Sequence, residues 1–453
     1  MPLMMMTKKF CGSLTVPGDK SISHRSLIFS AMTQGRSRIR GLLQSEDVKA
    51  TWRCMEALGA IVQQSPGGRE TIVHGGLPFQ EPFDVLDAAN SGTTIRLMVG
   101  LLTGQRLHGV ITGDNSLKRR PMGRVIEPMR LMGGQVYGRQ NDRYAPLTIL
   151  PAEKPLQAIQ YRLPVASAQV KSAILLASLF CNGTTTITEP ARSRDHTERM
   201  LSALGIPVES DPVKRLVSLR GSDEYSLDAI DWQVPGDFSS AAFPMVAALL
   251  TPGSCIRIKN VGLNPLRTGL MEALKLVGAR IRVENNRTEG GEPIGDLVVE
   301  ATELTGSLTI TPDAVPSLID EIPVLAVAAV FMDGTLIVNG AEDLRKKESD
   351  RIEAMATALR ALGITIETKP DGFVLEGNPD RRLTSPAAPL DSCHDHRIAM
   401  ALSVLNRVNT ARHKLSDTDD QRWPILHQDC VNISYPEFYD QMDQLWTDTA
   451  IRV

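Results

Sequence analysis

The sequence predicts an α/β protein made of six similar units, arranged as two halves of three units each. One phrase recurs five times: a helical run, then an apolar residue and a glycine, then a short β-like run, as in MEALGAIV and LRALGITI. A glycine after a helical run is typical of a left-handed C-cap, and the apolar residues that follow indicate a strand. The copies lie about 70 to 85 residues apart, which is too long for a solenoid repeat. Their glycines are Gly59, Gly133, Gly205, Gly278 and Gly363.

Two further patterns concern the halves and the last unit. The tetrapeptide VPGD occurs at Val16 and again at Val234, three units apart, so we expect the chain to cross between the halves near both sites. A sixth copy of the phrase, without its glycine, is the segment YPEFYDQMDQLW near the end of the chain. Within the third unit, Asp195 and Glu198 of RDHTER predict a capping-box start for a helix.

Four segments begin with polar or small residues and continue as an apolar helix. They are GDKSISHRSLIFSA (18–31), ANSGTTIRLMVGLL (89–102), VASAQVKSAILLASLF (165–180) and SLIDEIPVLAVAAVF (317–331). The start of a helix presents free N–H groups and the positive end of its dipole, and small residues let an anion approach these groups.

Basic residues stand in or near these helix starts, or in turns: Lys20, Arg25, Arg96, Arg120, Arg194, Lys347, Arg351 and Arg397. The arginine fork suits phosphate and carboxylate oxygens. The pattern therefore predicts a site for a strongly anionic small ligand.

Each segment also has a purely structural interpretation. GDKSIS is explained by a helix cap and NSGTT by a tight turn, and RKKESDRIEAM (345–355) by a solvated face on which Glu348 and Arg351 form an i, i+3 pair. The recurrence of the polar start at the spacing of the repeat favours the ligand-binding interpretation.

The composition excludes several classes of function. The net charge of −3 and the 22% of charged residues are ordinary, and aromatic residues make up only 4%, so neither a polybasic nucleic-acid or membrane surface nor a base-stacking platform is expected. The six cysteines form no CxxC motif, which predicts reduced thiols. The first residues contain no apolar leader, and IPVLAVAAVFM (322–332) is too short to span a bilayer. We therefore expect a cytoplasmic protein.

Common site motifs are absent or incomplete. CHDHR (393–397) resembles a metal cluster, but its residues are adjacent, whereas metal ligands on a helix need i, i+4 spacing or a second cluster elsewhere. No GxGxxG, GxxxxGK[ST] or GxSxG motif occurs, so a dinucleotide site, a P-loop or a hydrolase elbow is not expected.

Eight blocks resemble, in order, the signature segments of the 5-enolpyruvylshikimate-3-phosphate synthase family, also called 3-phosphoshikimate 1-carboxyvinyltransferases. The blocks are GDKSISHR, NSGTTIR, GDNSLKRRPM, PVASAQVKSA, RDHTERML, DEIPVLAVAA, KKESDRI and DHRIAMAL. The resemblance runs from about Val16 to Tyr435. It implies a two-lobed enolpyruvyl-transferase fold, in which each lobe holds three βαβαββ repeats as an inside-out α/β barrel. The implied lobes are residues 16–236 (N-terminal) and residues 1–15 with 237–453 (C-terminal, discontinuous).

The resemblance implies transfer of the enolpyruvyl group of phosphoenolpyruvate to the 5-hydroxyl of shikimate 3-phosphate, with release of phosphate. This reaction belongs to chorismate and aromatic amino-acid biosynthesis. No metal or organic cofactor is implied, and the expected partners are the two small substrates, with no nucleic acid and no membrane. The modest charge and the absence of heptads predict a monomer.

Nine residues of the N-terminal lobe are implied as substrate ligands: Lys20, Ser21, Arg25, Gly92, Arg120, Ser167, Ala168, Gln169 and Arg194. By the resemblance, Lys20, Ser21 and Arg25 hold shikimate 3-phosphate, and Lys20 also reaches phosphoenolpyruvate. Gly92, through its backbone N–H, and Arg120 bind phosphoenolpyruvate. The last four surround the shikimate phosphate and ring, and the glutamine among them touches both ligands.

In the C-terminal lobe, Asp320 and Lys347 are implied to face shikimate 3-phosphate, and Arg351 and Arg397 to clamp phosphoenolpyruvate. The chemistry needs an acid and a base on different faces, because the vinyl carbon gains a proton while the 5-hydroxyl loses one. We assign Asp320 as the base toward the hydroxyl and Glu348 as the group that moves the proton at the vinyl carbon. Lys20 is assigned a share of that second role.

The chain departs from the family pattern in three places. Ala89 stands before NSGT where many relatives carry glycine, and alanine takes a positive φ less readily. Ile433, in CVNISYP, stands where some relatives have a lysine, which predicts that one phosphate contact is absent or supplied otherwise. The segment 409–428 is longer and more polar than the pattern predicts. These changes leave open a paralogue that acts on a related cyclic alcohol.

Two other functions compete. The sister enzyme that transfers enolpyruvyl to a UDP-sugar normally carries a cysteine in a loop of the first lobe, and GDNSLKRRPM (113–122) has none. A non-catalytic anion-binding protein on the same scaffold is the second alternative. Retention of both Asp320 and Glu348 argues against it, because a pure anion binder gains nothing from carboxylates beside phosphate.

Overall fold

The computed structural model describes residues 4–66, 70–222, 225–413 and 423–452. The chain divides into two compact units. The first unit consists of Gly18–Pro235 with Thr288–Glu292, and the second of the chain up to Pro17, Gly236–Arg287 and the chain from Pro293 onward. The predicted lobes place Thr288–Glu292 in the C-terminal lobe, whereas in the structure this short segment groups with Gly18–Pro235. The lobe boundaries stay a prediction.

The first unit contains three repeats of alternating strands and helices. Strand β1 (Met4–Thr15), which belongs to the second unit, precedes them. The first repeat comprises α1 (Lys20–Met32), β2 (Gly35–Arg40), α2 (Glu46–Ala57), β3 (Ile61–Gln64) and β4 (Glu70–Gly75). The second comprises β5 (Leu86–Asp87), α3 (Gly92–Gly104), β6 (Gly109–Thr112), α4 (Gly123–Leu131), β7 (Gln135–Gly138), the short α5 (Arg139–Asp142) and β8 (Tyr144–Leu150). The third comprises β9 (Gln160–Arg162), α6 (Ala168–Ser178), β10 (Thr184–Thr188), α7 (His196–Ala203), β11 (Val208–Asp211) and β12 (Leu216–Arg220).

Each repeat of the first unit forms one four-stranded sheet. The sheet orders are β13-β2-β4-β3, β5-β6-β8-β7 and β9-β10-β12-β11, where β13 is Asp231–Gln233. The first two strands of each order are parallel, and the other pairs are antiparallel. A parallel pair needs a crossover, which the first helix of the repeat supplies in the second and third sheets. In the first sheet, β13 from the end of the unit takes the place of the opening strand.

The second unit repeats this plan with one exception. Its first repeat comprises α8 (Phe238–Leu250), β14 (Cys255–Gly262), α9 (Gly269–Leu276), β15 (Arg280–Glu289) and β16 (Glu292–Glu300). Its second comprises β17 (Leu308–Ile310), α10 (Ile322–Val330), β18 (Thr335–Val338), α11 (Arg351–Ala361), β19 (Ile366–Lys369) and β20 (Gly372–Glu376). Its third comprises β21 (Leu390–Asp391), α12 (His396–Arg412), β22 (Ile425–Leu426), α13 (Phe438–Leu445) and β23 (Trp446–Arg452). Short 3₁₀ helices occupy Leu117–Arg119, Val315–Ser317, Glu342–Lys346 and Gln428–Ile433.

The third repeat of the second unit is the exception. Its first two strands form only a parallel pair, β21-β22, while its last strand, β23, joins a five-stranded sheet of order β15-β16-β14-β1-β23. The remaining sheet has the regular order β17-β18-β20-β19. The sixth copy of the sequence phrase is thus a helix, α13, that leads directly into a strand without a glycine.

The predicted glycine caps are confirmed. The five glycines of the repeated phrase have φ values of +98°, +93°, +79°, +92° and +80°, and each follows the end of a helix. This left-handed conformation is accessible to glycine without a Cβ clash, and it lets the chain leave the helix and begin the next strand.

Each unit has its own apolar core. Every residue of α8 is buried, and so are all residues of α10, as expected for helices that are apolar on all sides. The four segments with polar starts form the helices α1, α3, α6 and α10, so their prediction as helices is confirmed. Among the described residues, no helix combines the length and the apolar character that crossing a membrane requires.

Candidate active site

Helix α1 places three predicted ligands in the first unit. Asp19 caps the helix by accepting a hydrogen bond from the Ile22 N–H at 2.8 Å, so Lys20 and Ser21 lie in the first turn. Lys20 forms an ion pair with Asp47 and remains partly exposed. One turn later, Arg25 is almost fully buried, with 3% of its surface exposed.

Arg25 is held by three elements. Its Nε donates to Thr197 Oγ1 at 2.7 Å, its Nη2 to Ser172 Oγ at 2.6 Å and its Nη1 to the carbonyl of Ser21 at 3.0 Å. Burial lowers the pKa of Arg25 to about 10, although nearby Glu198 acts to raise it. The guanidinium remains cationic at neutral pH, with its direction set by α1, α6 and α7.

The starts of α3 and α6 are joined by one side chain. Ser91 caps α3 by accepting from the Thr94 N–H at 3.0 Å. Gln169, in the first turn of α6, accepts from Arg96 Nη1 at 2.6 Å and donates through Nε2 to Thr93 Oγ1 at 2.9 Å. The predicted ligands Ser167, Ala168 and Gln169 therefore lie beside the predicted ligand Gly92.

Gly92 lies close to two guanidinium groups. A Cβ atom at this position would come within 2.7 Å of Arg96 Nη1 and 3.4 Å of Arg120 Nη1, so the Arg96 guanidinium would have to move away. The Arg120 Nη2 donates to Asn90 Oδ1 at 2.6 Å. Glycine thus allows two cations to lie beside the first amide of α3, where an anion is favoured.

A buried ion cluster around Lys171 supports the start of α7 and the loop before it. The Nζ of Lys171, on α6, lies 2.7 Å from Glu198 Oε1 and 3.0 Å from Glu189 Oε2, and 1% of the lysine side chain is exposed. Lys171 also donates to the carbonyl of Ser193 at 3.3 Å. Arg194 follows directly in this loop, and its charge acts to lower the pKa of Arg25. Lys171 therefore ties α6 and α7 to the loop that carries Arg194.

The predicted capping box of α7 is wrong. Asp195 occupies the N-cap position but makes no side-chain cap; its carboxylate accepts from Arg199 Nε at 2.9 Å instead. Glu198 turns inward to Lys171. Each acid forms an ion pair, Asp195 with Arg199 and Glu198 with Lys171, in place of the hydrogen bonds of a capping box.

A hydrogen-bonded chain of side chains links α1 to α3. His24 Nδ1 lies 2.7 Å from Thr51 Oγ1, which lies 2.7 Å from Thr94 Oγ1. The hydroxyl of Thr94 donates to the capping Ser91 at 2.8 Å. Burial, followed by the charges of Lys20 and Arg25, holds the pKa of His24 well below its ordinary value.

The second unit gathers the other predicted residues around Arg351. This arginine opens α11 and is 2% exposed. It donates to Asp395 at 2.8 Å, to Glu348 at 2.7 Å and to Asp320 at 3.2 Å. Burial acts to lower the pKa of Arg351, but the three carboxylates more than offset this and raise it above the ordinary arginine value. The i, i+3 pair of Glu348 with Arg351 is confirmed, but the solvated face proposed for it is wrong, because Arg351 is buried.

Asp320 is surrounded by cations. Its Oδ1 lies 3.3 Å from Lys347 Nζ and 3.8 Å from Arg397 Nε, in addition to its contact with Arg351. Its carbonyl accepts from Arg397 Nη1 at 3.2 Å. All five residues predicted for the second unit therefore lie in one cluster, which places two carboxylates among three cations.

Ala89, which stands where many relatives carry glycine, adopts the backbone conformation of a glycine. Its φ is +49°, the left-handed conformation that glycine adopts more readily. Its N–H donates to Asp87 Oδ1 at 2.8 Å, and its carbonyl accepts from the Asp114 N–H at 2.8 Å. The alanine is thus held in the conformation expected of a glycine.

The two other departures are only partly described. Ile433 ends the 3₁₀ helix Gln428–Ile433 and is half-buried. Of the segment 409–428, residues 414–422 lie outside the described residues. Within the described part of the chain, no group of three or more His, Cys, Asp or Glu side chains is placed to hold a metal ion, and CHDHR (393–397) is no exception.

The sequence model of EPSP synthase (3-phosphoshikimate 1-carboxyvinyltransferase) matches residues 5–442. The chain belongs to the EPSP synthase family. A protein of Magnetococcus marinus named 3-phosphoshikimate 1-carboxyvinyltransferase is 47% identical over 442 residues, which cover 97% of this chain and 95% of that protein. One of the same name from Gloeothece citriformis is 46% identical over 438 residues, covering 96% and 93%.

A solved structure of EPSP synthase from Acinetobacter baumannii superposes with a TM-score of 0.81 at 38% identity, covering 99% of this chain and 100% of that one. Membership of the EPSP synthase family confirms the resemblance of the eight sequence blocks and the enolpyruvyl-transferase class of the α/β fold. The roles of the individual site residues stay predictions.

For this member of the EPSP synthase family, sequence reasoning missed several residues that hold the predicted ligands. Asp395 caps α12 by accepting from the Arg397 N–H at 2.9 Å and also binds Arg351. An aspartate two residues before an arginine at the start of an apolar helix is an N-cap signal that identifies it. Thr197 and Lys171 carry no such signal, because their partners are far away in sequence.

Proposed function

We propose that this member of the EPSP synthase family is a 3-phosphoshikimate 1-carboxyvinyltransferase of the shikimate pathway. It transfers the enolpyruvyl group of phosphoenolpyruvate to the 5-hydroxyl of shikimate 3-phosphate and releases phosphate, in the route to chorismate and the aromatic amino acids. The observation that carries this proposal is the cluster around Arg351, where Asp320 and Glu348 lie beside three cations. Such a cluster combines binding of an anionic substrate with two groups able to move protons.

In this proposal the first unit binds mainly shikimate 3-phosphate. Ser21, Arg25 and Arg194, with Ser167, Ala168 and Gln169 at the start of α6, hold its phosphate and ring. The buried anchoring of Arg25 by Ser172 and Thr197 supports this role, because a fixed guanidinium loses less entropy when it binds a phosphate. Gly92 and Arg120 bind phosphoenolpyruvate, and Lys20 contacts both substrates.

The second unit supplies the rest of the machinery. Lys347 and Asp320 contact shikimate 3-phosphate, and Arg351 with Arg397 binds phosphoenolpyruvate. Glu348, with a contribution from Lys20, delivers a proton to the vinyl carbon, which leaves the neighbouring carbon cationic. The 5-hydroxyl oxygen attacks that carbon as Asp320 takes the hydroxyl proton. The tetrahedral adduct then returns a methyl proton to the Glu348 carboxylate as its bond to the phosphate oxygen breaks, which regenerates the vinyl group and releases phosphate.

The reaction is tested by phosphate release from phosphoenolpyruvate with different acceptors. We expect release with shikimate 3-phosphate, together with a product of the mass of 5-enolpyruvylshikimate 3-phosphate, and none with UDP-N-acetylglucosamine. Release with only the UDP-sugar identifies the sister activity. Release with neither, with retained binding of both anions, identifies a non-catalytic anion-binding protein.

The assignment of Glu348 is tested by Glu348→Gln with Glu342→Gln as its control. Glu342 is exposed on the 3₁₀ helix Glu342–Lys346, which ends just before Glu348. We expect kcat to fall by about 100-fold or more in Glu348→Gln, since general acid–base groups contribute on this scale, while substrate binding changes far less. An unchanged kcat removes Glu348 from the mechanism.

We also propose that the enzyme acts as a cytoplasmic monomer. The six cysteines are all free, which suits a reducing compartment. Light scattering of the purified chain is expected to give 49.4 kDa, and a multiple of this mass contradicts the monomer. Cell fractionation tests the compartment.

A further inference from the structure

The second VPGD segment leads into a helix that the reaction does not use. Asp237 caps α8 by accepting from the Ser239 N–H at 2.8 Å, and every residue of α8 is buried. Most residues of α8 are apolar and pack in the core of the second unit. The buried hydroxyl of Ser239, 2% exposed, is not needed for such packing.

The Ser239 hydroxyl donates a short hydrogen bond to Oε1 of Glu321. Glu321 directly precedes α10, follows the proposed base Asp320 and is 1% exposed. Burial of an unpaired carboxylate strongly destabilises a folded protein. A carboxylate at this position therefore needs a cationic partner as well as the hydroxyl.

Arg397 is that partner. Its Nη1 lies 3.8 Å from Glu321 Oε1 and donates to the Asp320 carbonyl at 3.2 Å. Its Nε lies 3.8 Å from Asp320 Oδ1. The remaining nitrogen, Nη2, makes no hydrogen bond to any residue that the structure describes. The contacts thus fix one edge of the guanidinium and leave a donor for a ligand.

We infer that Glu321 and Ser239 are positioning residues that orient Arg397 for phosphoenolpyruvate. The inference rests on the proposed function, because Arg397 is a phosphoenolpyruvate ligand only in that proposal. Ser239 fixes the rotamer of Glu321, and Glu321 fixes Arg397 before the substrate arrives. An arginine held in its binding conformation pays less side-chain entropy on binding. The helix that follows the second VPGD copy thus serves substrate binding through Ser239, in addition to packing.

The test compares Ser239→Ala with the matched control Ser240→Ala. Ser240 is the next residue of α8 and is also buried, at 3% exposed, but in the described chain it makes no hydrogen bond to Glu321. We expect Ser239→Ala to raise the KM for phosphoenolpyruvate by about tenfold, a change typical of the loss of one buried hydrogen bond. The KM for shikimate 3-phosphate should match that of Ser240→Ala, while the unfolding midpoint of Ser239→Ala should be the lower of the two, because the buried Glu321 loses its hydrogen bond.

Glu321→Gln is the second variant, because it keeps the shape and an acceptor for Ser239 while removing the charge beside Arg397. It should raise the KM for phosphoenolpyruvate in the same selective way. A rise in both KM values by the same factor, or no rise in either variant, overturns the inference.

Calorimetric titration with phosphoenolpyruvate in the presence of shikimate 3-phosphate separates this inference from the proposed function. A wild-type protein that forms no product but binds phosphoenolpyruvate refutes the proposed reaction. Weaker binding by Ser239→Ala than by Ser240→Ala still supports the positioning role in that case. Equal binding by the two variants refutes it.

Discussion

The Nε atom of Arg351 lies 2.8 Å from Oδ2 of Asp395, and 1% of the arginine side chain and none of the aspartate side chain is exposed. Burial acts to raise the pKa of Asp395, but Arg351 more than offsets this, so the pKa lies below its ordinary value. A buried arginine whose carboxylate partner is removed is left with uncompensated charge. We expect Asp395→Asn to lower the free energy of unfolding by about 3 kcal/mol at pH 7, as measured by denaturant titration.

The pH dependence of this pair has a definite sign. Because the folded-state pKa of Asp395 lies below its unfolded value of about 3.9, the stabilisation is complete above that pH and is lost as pH falls through the folded-state value. Asp391→Asn is the control, since Asp391 ends β21 four residues before Asp395 and has 54% of its side chain exposed. Equal stability of the two variants at pH 7 contradicts the buried-pair argument.

Replacement of Lys171 by methionine leaves Glu189 and Glu198 buried without their cation. We expect Lys171→Met to cost about 3 to 5 kcal/mol of unfolding free energy at pH 7. Burial already raises the pKa of Glu198, against the opposing effect of Lys171. Loss of the lysine raises the folded-state value further, so protonation stabilises the variant and its deficit shrinks as pH falls toward 5.

A second substitution separates charge from packing at this cluster. Lys171→Met combined with Glu198→Gln should recover part of the lost stability at pH 7, because it removes one of the two unpaired carboxylates. A double variant no more stable than Lys171→Met contradicts the argument that the unpaired charge of Glu198 causes the loss of stability.

Much of the fold was predictable because its signals are local. Each helix that ends in glycine and each helix that begins with a polar residue is specified by neighbouring residues. The five left-handed glycines recur at the spacing of the repeats. The hairpin of β15 and β16 gave no local signal that its tip, Thr288–Glu292, belongs to the first unit. That assignment rests on contacts far along the chain, such as His196 Nδ1 with Glu292 at 2.7 Å.

The candidate site divides in the same way. Lys20, Arg25 and Arg351 stand in recognisable motifs at helix starts, so their positions could be predicted from sequence. The residues that orient them could not, because Thr197 meets Arg25 across 172 residues and Asp395 meets Arg351 across 44. The RDHTER motif shows the cost of local reasoning: its acids fit a capping box by spacing, yet burial next to Lys171 directs Glu198 into the core.

His24 predicts a loss of stability below neutral pH. Its pKa is held well below 6.5 by burial and then by Lys20 and Arg25, so the folded protein binds the proton less readily than the unfolded chain. Stability should therefore fall as pH drops below about 6.5, by up to about 1.4 kcal/mol per pH unit, until the folded-state pKa is reached. Denaturant unfolding at pH 7.5, 6.5 and 5.5 measures this slope.

His24→Asn should flatten the slope, because asparagine keeps a polar atom near Thr51 but does not titrate. His108→Asn is the control, since His108 is exposed and its removal should leave the slope unchanged. If His24→Asn retains the slope of the wild type, His24 is not the group that titrates.

Ala89 adopts a backbone conformation that glycine reaches at a lower conformational energy. An L-residue in the left-handed region costs about 1 to 2 kcal/mol, and Ala89 has a φ of +49°. Ala89→Gly relieves this strain but adds freedom to the unfolded chain, which takes back about 0.4 to 1 kcal/mol. We expect a net gain in unfolding free energy of about 0.5 to 1 kcal/mol, measured by thermal and denaturant unfolding.

Ala88→Gly, at a fully buried neighbour without positive φ, is the control and should instead lose stability. Because the loop already has the glycine-like conformation, the KM for phosphoenolpyruvate should stay unchanged in Ala89→Gly. A destabilised Ala89→Gly shows that the Ala89 methyl packs usefully enough to outweigh the strain.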